Sequence, residues 1–428
     1  MQRDFSVYRE RRERLLQQVR EERAQARGPI LLFANFEEGG RRFCQESSFY
    51  YLTGIEEPGA VLLIELSGSM TLFVPNYGDV RGRWTNNTIE PTGENADRYL
   101  MDEVVFLGQQ CAGYQIHPFA EEDVYENLLE RLANAVGDGE AIFTLCPDDS
   151  RGYVTQRYMI SHLDSFASGI CDACVDITSL VAQMRRQKDK SEIALMYRAA
   201  EVTMLAHQAA AQAISNGMAE CEVQAHAEFI MTGSCMRRAF ASVVASGRNA
   251  TVLHYDENSA TMRDGQLVVI DIGAEFEHYC GDITRTYPVS GSFTDRQKEL
   301  YEIVLKTQEH IASIAAPGMY LNNPDEPEKS LNHRAKAFMA ESGYDEYFIH
   351  GIGHYLGLDV HDVGDVRAPL QPGDVITIEP GIYIPDEEIG IRIEDDYWIV
   401  QDGIVCLTEQ LPKDPEEIEE MVRQTLED

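Results

Sequence analysis

In a chain of 428 residues, 72 Asp and Glu stand against 36 Lys and Arg, a formal net charge of −36 that argues against nucleic acid and anionic membrane surfaces as partners. The length exceeds one ordinary core of about 100–200 residues, and at 44% hydrophobic residues the chain can bury the cores of two domains. No apolar run approaches the ~18 residues of a membrane span, RDFSVYRERRER lacks the apolar stretch of a signal peptide, and nine scattered cysteines suit reduced thiols better than a disulfide framework, so a cytoplasmic protein is expected.

Residues 8–26 are predicted as a charged helix with Leu15, Leu16 and Val19 on one face, and 30–34, 60–66 and 70–75 as short strands set off by turn signals at Leu52–Thr53–Gly54 and Pro58–Gly59. A helix over 121–136 and a strand over 141–146 complete what reads as an α/β domain, residues 1–180, without the residue types of a catalytic site. Cys171 and Cys174 form a CxxC, but with no second pair at zinc-ribbon spacing it reads as incidental.

Composition changes at RRQKDK, residues 185–190, and a second domain, 181–428, follows. In it 191–215 carries Ile193, Met196, Ala199, Ala200 and Met204 on one helical face and closes at Asn216–Gly217, and 220–231 reads as a second helix. Residues 241–246 are predicted as a strand, with 251–255, which includes His254, in or beside the next. Thr294 and Gln297 form a capping box that opens a helix running to Ala316 and stopped by Pro317–Gly318. A helix near 330–341 precedes a histidine-rich loop, and 414–428 reads as an acidic amphipathic helix or frayed end.

The stretch 268–285, VVIDIGAEFEHYCGDITR, reads as a β-hairpin: an apolar run ending at Asp271, a polar interruption over 275–278 and a β-prone run over 279–287. With the turn centred on Phe276 and Glu277, Asp271 and Asp282 are expected to oppose each other, with Cβ atoms about 4.5–5.5 Å apart. Two carboxylates that close repel unless a proton or cation is shared; the alternative is a solvated pair on an ordinary hairpin. A second hairpin, 375–384 with 390–400, repeats the device, because Glu379 and Glu394 are equidistant from its centre at Asp386 and Glu387. Four converging carboxylates carry a charge of about −4, which two divalent cations balance. An oxygen-rich set with one imidazole suits Mn²⁺ first, with Co²⁺, Fe²⁺ or Zn²⁺ also fitting.

Between the hairpins lies HGIGHYLGLDVHD, 350–362. His354 is the candidate imidazole ligand, and Gly351 and Gly353 argue against a helix carrying His350 and His354 on one face. His350 and His361 face a substrate or are hydrogen-bonded structural histidines. Cys280 shares a strand face with Asp282 by alternation and is expected as packing.

DIGAEFEHYCGDITRTYPVSG, HGIGHYLGLDVHDVG and EPGIYIPDEEIGIRIEDD closely resemble the metal-binding segments of aminopeptidase P and prolidase, the creatinase-like or pita-bread metallopeptidases, and FYYLTGIEEPGAVLLIEL resembles the N-terminal domain of aminopeptidase P. The resemblance spans the chain. It implies a creatinase-like α/β domain followed by a pita-bread catalytic domain, with Asp271, Asp282, His354, Glu379 and Glu394 as ligands of two metals. In that family Asp282 and Glu394 would touch both ions, Asp271 one, and His354 and Glu379 the other. It also implies substrate roles for His254, His350 and His361, and a supporting role behind the ligands for Arg392. Phe240 and its neighbours depart from many relatives in a way that could alter the substrate pocket, and the short connection 364–371 leaves open whether Arg367 meets the substrate.

Two such cations would activate a water and polarise the scissile carbonyl, with Glu379 as proton acceptor and shuttle and His361 the first choice to stabilise the oxyanion. The activity implied is removal of the N-terminal residue from peptides with proline second, with prolidase, a dipeptidase, as the alternative. Methionine aminopeptidase shares the ligand set but needs only the second half of the chain. Creatinase and the histone-chaperone relatives, the latter pure binding modules, normally lack the complete set. A homodimer or homotetramer is expected from the same resemblance.

Overall fold

The apolar runs Ile30–Phe33, Val61–Ile64 and Met70–Val74 form the middle of a six-stranded mixed sheet in the computed structural model, which describes residues 4–23, 27–84, 88–147 and 152–424. Their side chains are buried on both faces, which is why they read as continuous apolar runs rather than alternating ones. The order across the sheet is Glu103–Phe106, Met70–Val74, Val61–Ile64, Ile30–Phe33, Ile142–Thr144, Cys174–Asp176. The three central strands pair antiparallel, and every pairing outside them is parallel.

The chain divides into two compact units, Met1–Gln183 and Met184–Asp428. In the first, helix Ser6–Glu22 buries Leu15, Leu16 and Val19 as its pattern requires, and also Arg12. The Arg12 guanidinium donates to the carbonyls of Leu52 (2.9 Å), Tyr99 (3.2 Å) and Leu100 (2.8 Å), and burial pulls its pKa down to about 10. The last three residues of the expected 8–26 helix, and 425–428 of the expected C-terminal one, lie outside the described residues; the latter helix is described over Pro415–Arg423. Helix Val154–Phe166 and the edge strands Glu103–Phe106 and Cys174–Asp176 go beyond the elements predicted from sequence.

The second unit is built from two helix pairs and two long hairpins. Helices Lys190–Ala213 and Glu220–Gly233 form one pair, Asp295–Ile314 and Leu331–Ala340 the other. Capping boxes open the long helix of each pair, Asp189 with Glu192 and Thr294 with Gln297. The 251–255 segment is no strand. A 3₁₀ turn, Gly247–Thr251, leads into an irregular loop that carries His254. Among the described residues, no helix is long and apolar enough to cross a membrane.

Candidate metal centre

Strand Leu267–Ile272 pairs antiparallel with Ile283–Pro288 on one side and Val243–Ser246 on the other. The turn falls on Glu277 and His278, both at positive φ (49° and 69°), with Phe276 opposite Tyr279; a two-residue hairpin turn needs that geometry. It lies one residue later than the sequence pattern suggests. Asp271 therefore faces Thr284 rather than Asp282, and the expected direct opposition of the two aspartates is corrected to a diagonal one. Gly273 and Gly281 allow it: a Cβ on Gly273 would stand 2.0 Å from the Gly281 carbonyl oxygen.

The second hairpin keeps one register from end to end, Ile378 opposite Asp395 and Gly381 opposite Arg392, so Glu379 and Glu394 sit equidistant in the gap between its two ladders. Pro380 sits in that gap and offers no N–H to continue the ladder. The backbone amides freed there tie the ligand-bearing segments together. Glu379 N–H donates to Ile352 O (2.8 Å), and Glu394 N–H to Thr284 O (3.0 Å) in the aspartate hairpin. Thr377 N–H donates to His354 O (2.9 Å), while the Thr377 hydroxyl accepts from His354 N–H (3.1 Å).

These constraints bring Asp271, Asp282, His354, Glu379 and Glu394 to one cleft of about 700 Å³, together with His254, His350, His361 and Arg392. His354 donates through Nδ1 to Tyr355 O (3.0 Å), which leaves Nε2 facing carboxylate oxygens of Asp282 (3.5 Å), Glu379 (3.5 Å) and Glu394 (3.9 Å). The pocket oversupplies negative charge. Burial, then the neighbouring Asp271, pushes the Asp282 pKa up to about 7, and burial with the charges of Asp282, Glu379 and Asp271 holds Glu394 well above the carboxylate range. Burial disfavours a charged His354, but its Asp282 hydrogen bond and the nearby carboxylates outweigh that and raise its pKa to about 9. The buried Oδ1 atoms of Asp271 and Asp282 have no hydrogen-bond partner. Asp282, His354 and Glu394 present donor atoms within 4.8 Å of one another. A divalent cation satisfies all of these groups at once, since it supplies the missing positive charge and takes up the unpartnered oxygens.

Around the acids, Arg392 donates to Asp271 Oδ2 (2.5 Å), to Thr284 Oγ1 (3.0 Å) and to the Tyr383 hydroxyl (3.0 Å). Thr284 Oγ1 in turn donates to Glu394 Oε2 (2.6 Å). His350 donates from Nδ1 to Gly351 O (2.8 Å) and accepts at Nε2 from Tyr383 (2.9 Å), and burial with the Arg392 charge pulls its pKa down to about 4, so it is neutral. His361 stands against His354, ring centroids 4.4 Å apart, and is also shifted down by burial and that neighbour. Phe240 lines the cleft and Arg367 does not; Cys280 is buried in packing away from it. Tyr383, Thr284 and Thr377 escaped the sequence reading, since a hydroxyl on a strand carries no spacing signal of its own.

The model of metallopeptidase family M24 matches residues 194–401, and that of the aminopeptidase P N-terminal domain matches residues 8–110. The fold and site thus define a metal-dependent peptidase of the M24 class. An Xaa-Pro aminopeptidase of Haemophilus influenzae is 31% identical, covering 97% of this chain and 96% of that protein, and one of Escherichia coli is 34% identical over 88% of each. A solved structure described as a putative aminopeptidase P from Bacillus anthracis superposes with a TM-score of 0.84 at 28% identity, covering 99% of both chains. The chain belongs to the aminopeptidase P family of M24 metallopeptidases.

Proposed function

We propose that this hydrolase is a dinuclear metallo-aminopeptidase that releases the N-terminal residue from peptides whose second residue is proline, with residues 181–428 as its catalytic domain and 1–180 as its N-terminal domain. The observation that carries the reading is the convergence of four carboxylates and the His354 imidazole on one cleft, with buried oxygens of Asp271 and Asp282 left unpartnered. Asp271, Asp282, His354, Glu379 and Glu394 would hold two divalent ions, with Mn²⁺ the best match to an oxygen-rich donor set. Bound there, such ions supply Lewis acidity to the scissile carbonyl and acidify water.

The chain's own groups do the rest. Glu379, whose carboxyl burial shifts upward, accepts a proton at the reacting centre and passes it to the departing amine. His361 presents an N–H to the oxygen of the tetrahedral intermediate. Neutral His350, its two ring nitrogens held by Gly351 O and the Tyr383 hydroxyl, presents a ring of fixed orientation to the substrate, and His254 on the opposite loop contacts the substrate. Nine free cysteines fit a reducing compartment, the cytoplasm, and the family likeness supports a homodimer or homotetramer.

Two relatives named Xaa-Pro aminopeptidase match 97% and 88% of this chain, whereas an Xaa-Pro dipeptidase of Pyrococcus horikoshii matches 74% of it. That difference in coverage favours the aminopeptidase over the prolidase alternative. The test is hydrolysis of Gly-Pro-Pro and Gly-Ala-Pro by protein loaded with Mn²⁺. Release of glycine from the first alone, abolished by a chelator, is expected; equal cleavage of both would contradict the proline requirement.

A further inference from the structure

One wall of the cleft is formed by a loop that carries none of the five convergent groups. It runs from the end of strand Val243–Ser246 to Ala260 and contributes Leu253, His254 and Asp256 to the lining. Beyond the 3₁₀ turn Gly247–Thr251 it has no regular backbone ladder to hold it.

A single carboxylate gathers it instead. Glu220, the first residue of helix Glu220–Gly233 and fully buried, accepts at Oε1 from Ser246 N–H (2.7 Å), the Ser246 hydroxyl (2.7 Å) and the Asn249 amide (3.3 Å). At Oε2 it accepts from the Tyr255 hydroxyl (2.9 Å) and Ala260 N–H (2.8 Å). Ser259 N–H donates to the same Tyr255 hydroxyl (3.1 Å). The start, middle and end of the loop thus meet on one side chain. Losing either oxygen as an acceptor would leave buried N–H and hydroxyl donors without a partner, which is more costly than the bonds themselves are stabilising. Glu220 is not among the residues lining the cleft, and Tyr255, its contact at the loop's middle, directly follows His254.

We propose that Glu220 is a positioning residue for His254, acting through Tyr255 to hold one wall of the cleft and so to set substrate affinity without touching metal or substrate. The proposal rests on the reading of His254 as a substrate-facing group.

Replacing the carboxylate by an amide breaks the clasp in either orientation. The new NH₂ faces Ser246 N–H if turned one way and Ala260 N–H if turned the other, and a backbone N–H, unlike a hydroxyl, cannot reverse its role. The gentler change is Tyr255→Phe, which removes the hydroxyl nearest His254, with its bonds to Glu220 and from Ser259 N–H, and leaves the other donors on Glu220 in place.

The test compares Glu220→Gln, Tyr255→Phe, His254→Ala and the double variant Glu220→Gln/His254→Ala, all loaded with Mn²⁺, on Gly-Pro-Pro. For Glu220→Gln, KM rises about tenfold, in the range for groups that orient an active residue, while kcat and metal content hold; Tyr255→Phe moves the same way by less. In the His254→Ala background the Glu220→Gln effect largely disappears, because its route to the substrate is gone. Should Glu220→Gln fail to fold, Tyr255→Phe decides alone. A Tyr255→Phe variant with unchanged KM, a loss of metal, or effects of Glu220→Gln and His254→Ala that multiply would overturn the clasp. An unchanged KM in His254→Ala would instead overturn the reading on which it rests.

Discussion

The two hairpins of the catalytic unit use the same pairing of acids and hold it by different means. The aspartate hairpin breaks once, at Gly273 and Gly281, between the Ile272–Ile283 and Glu275–Cys280 pairings on the way to its tight two-residue turn, and its acids are diagonal, Asp271 inside the ladder facing Thr284 and Asp282 in the break. The glutamate hairpin is broken at its centre, and its acids face each other across the break, where their amides bond outward to Ile352 and Thr284. The supports beneath differ too. Under the first, His207 from helix Lys190–Ala213 donates from Nε2 to Ile283 O (2.9 Å) and accepts from the Tyr287 hydroxyl (3.1 Å). Under the second, Gln308 from helix Asp295–Ile314 donates to Ile378 O (3.3 Å), Ile393 O (3.5 Å) and Asp395 Oδ2 (3.0 Å). An acid inside a ladder, Asp271, is fixed by register, whereas the three acids in the breaks spend their free amides on joining separate segments, Asp282 N–H donating to Asp396 Oδ2 (3.2 Å) as those of Glu379 and Glu394 donate to Ile352 and Thr284.

The break in the glutamate hairpin, which holds two acids, is therefore where a single change does most damage. Glu394 links the hairpins through both its backbone and its side chain. Glu394→Gln is expected to lose metal and activity together, turnover falling below about a thousandth of wild type on loss of a ligand; two bound metals with near-normal turnover would remove Glu394 from the ligand set. His361 belongs to neither hairpin. His361→Ala should keep its metal while kcat/KM drops by about 10², as for loss of one oxyanion donor, and metal analysis beside steady-state rates distinguishes this from a ligand's loss.

The smallest effect separates the supports. Burial holds the His207 pKa down to about 3, against 6.5 for an unhindered imidazole. The unfolded chain therefore binds the proton first as pH falls. The stability contributed by neutral His207 is complete above the unfolded pKa and is lost as pH falls from 6.5 toward 3, by up to about 1.4 kcal/mol per pH unit. Gln308 cannot titrate. Denaturant unfolding of metal-free protein at pH 7 and pH 5 should show a loss that His207→Gln reduces; an unchanged pH dependence would mean that His207 is not the titrating support.

The convergence of acids was legible in sequence because strand alternation and equal spacing from a turn are local properties. Glu379 and Glu394 could be paired by counting alone. The aspartate register could not, since its turn is set by positive φ at Glu277 and His278, residue types that do not announce that conformation as glycine or asparagine would. Nor was the loop carrying His254 readable. Its apolar and polar residues mimic a strand, but the Glu220 clasp that overrides that propensity comes from a residue more than thirty positions earlier. In the first unit, Arg12 stands on the apolar face of its helix because three carbonyls at the C-terminal ends of two later helices, Ser47–Thr53 and Gly93–Tyr99, receive it, and no periodicity encodes such partners.

The central claim is tested most directly by substrate length. A dipeptidase must block the chain beyond proline, whereas an aminopeptidase leaves a groove there, and between His361 and Glu379 only the short connection 364–371 is available to build a wall. With two equivalents of Mn²⁺ supplied, kcat/KM for Gly-Pro-Pro is expected to equal or exceed that for Gly-Pro; hydrolysis of the dipeptide alone would contradict the aminopeptidase reading.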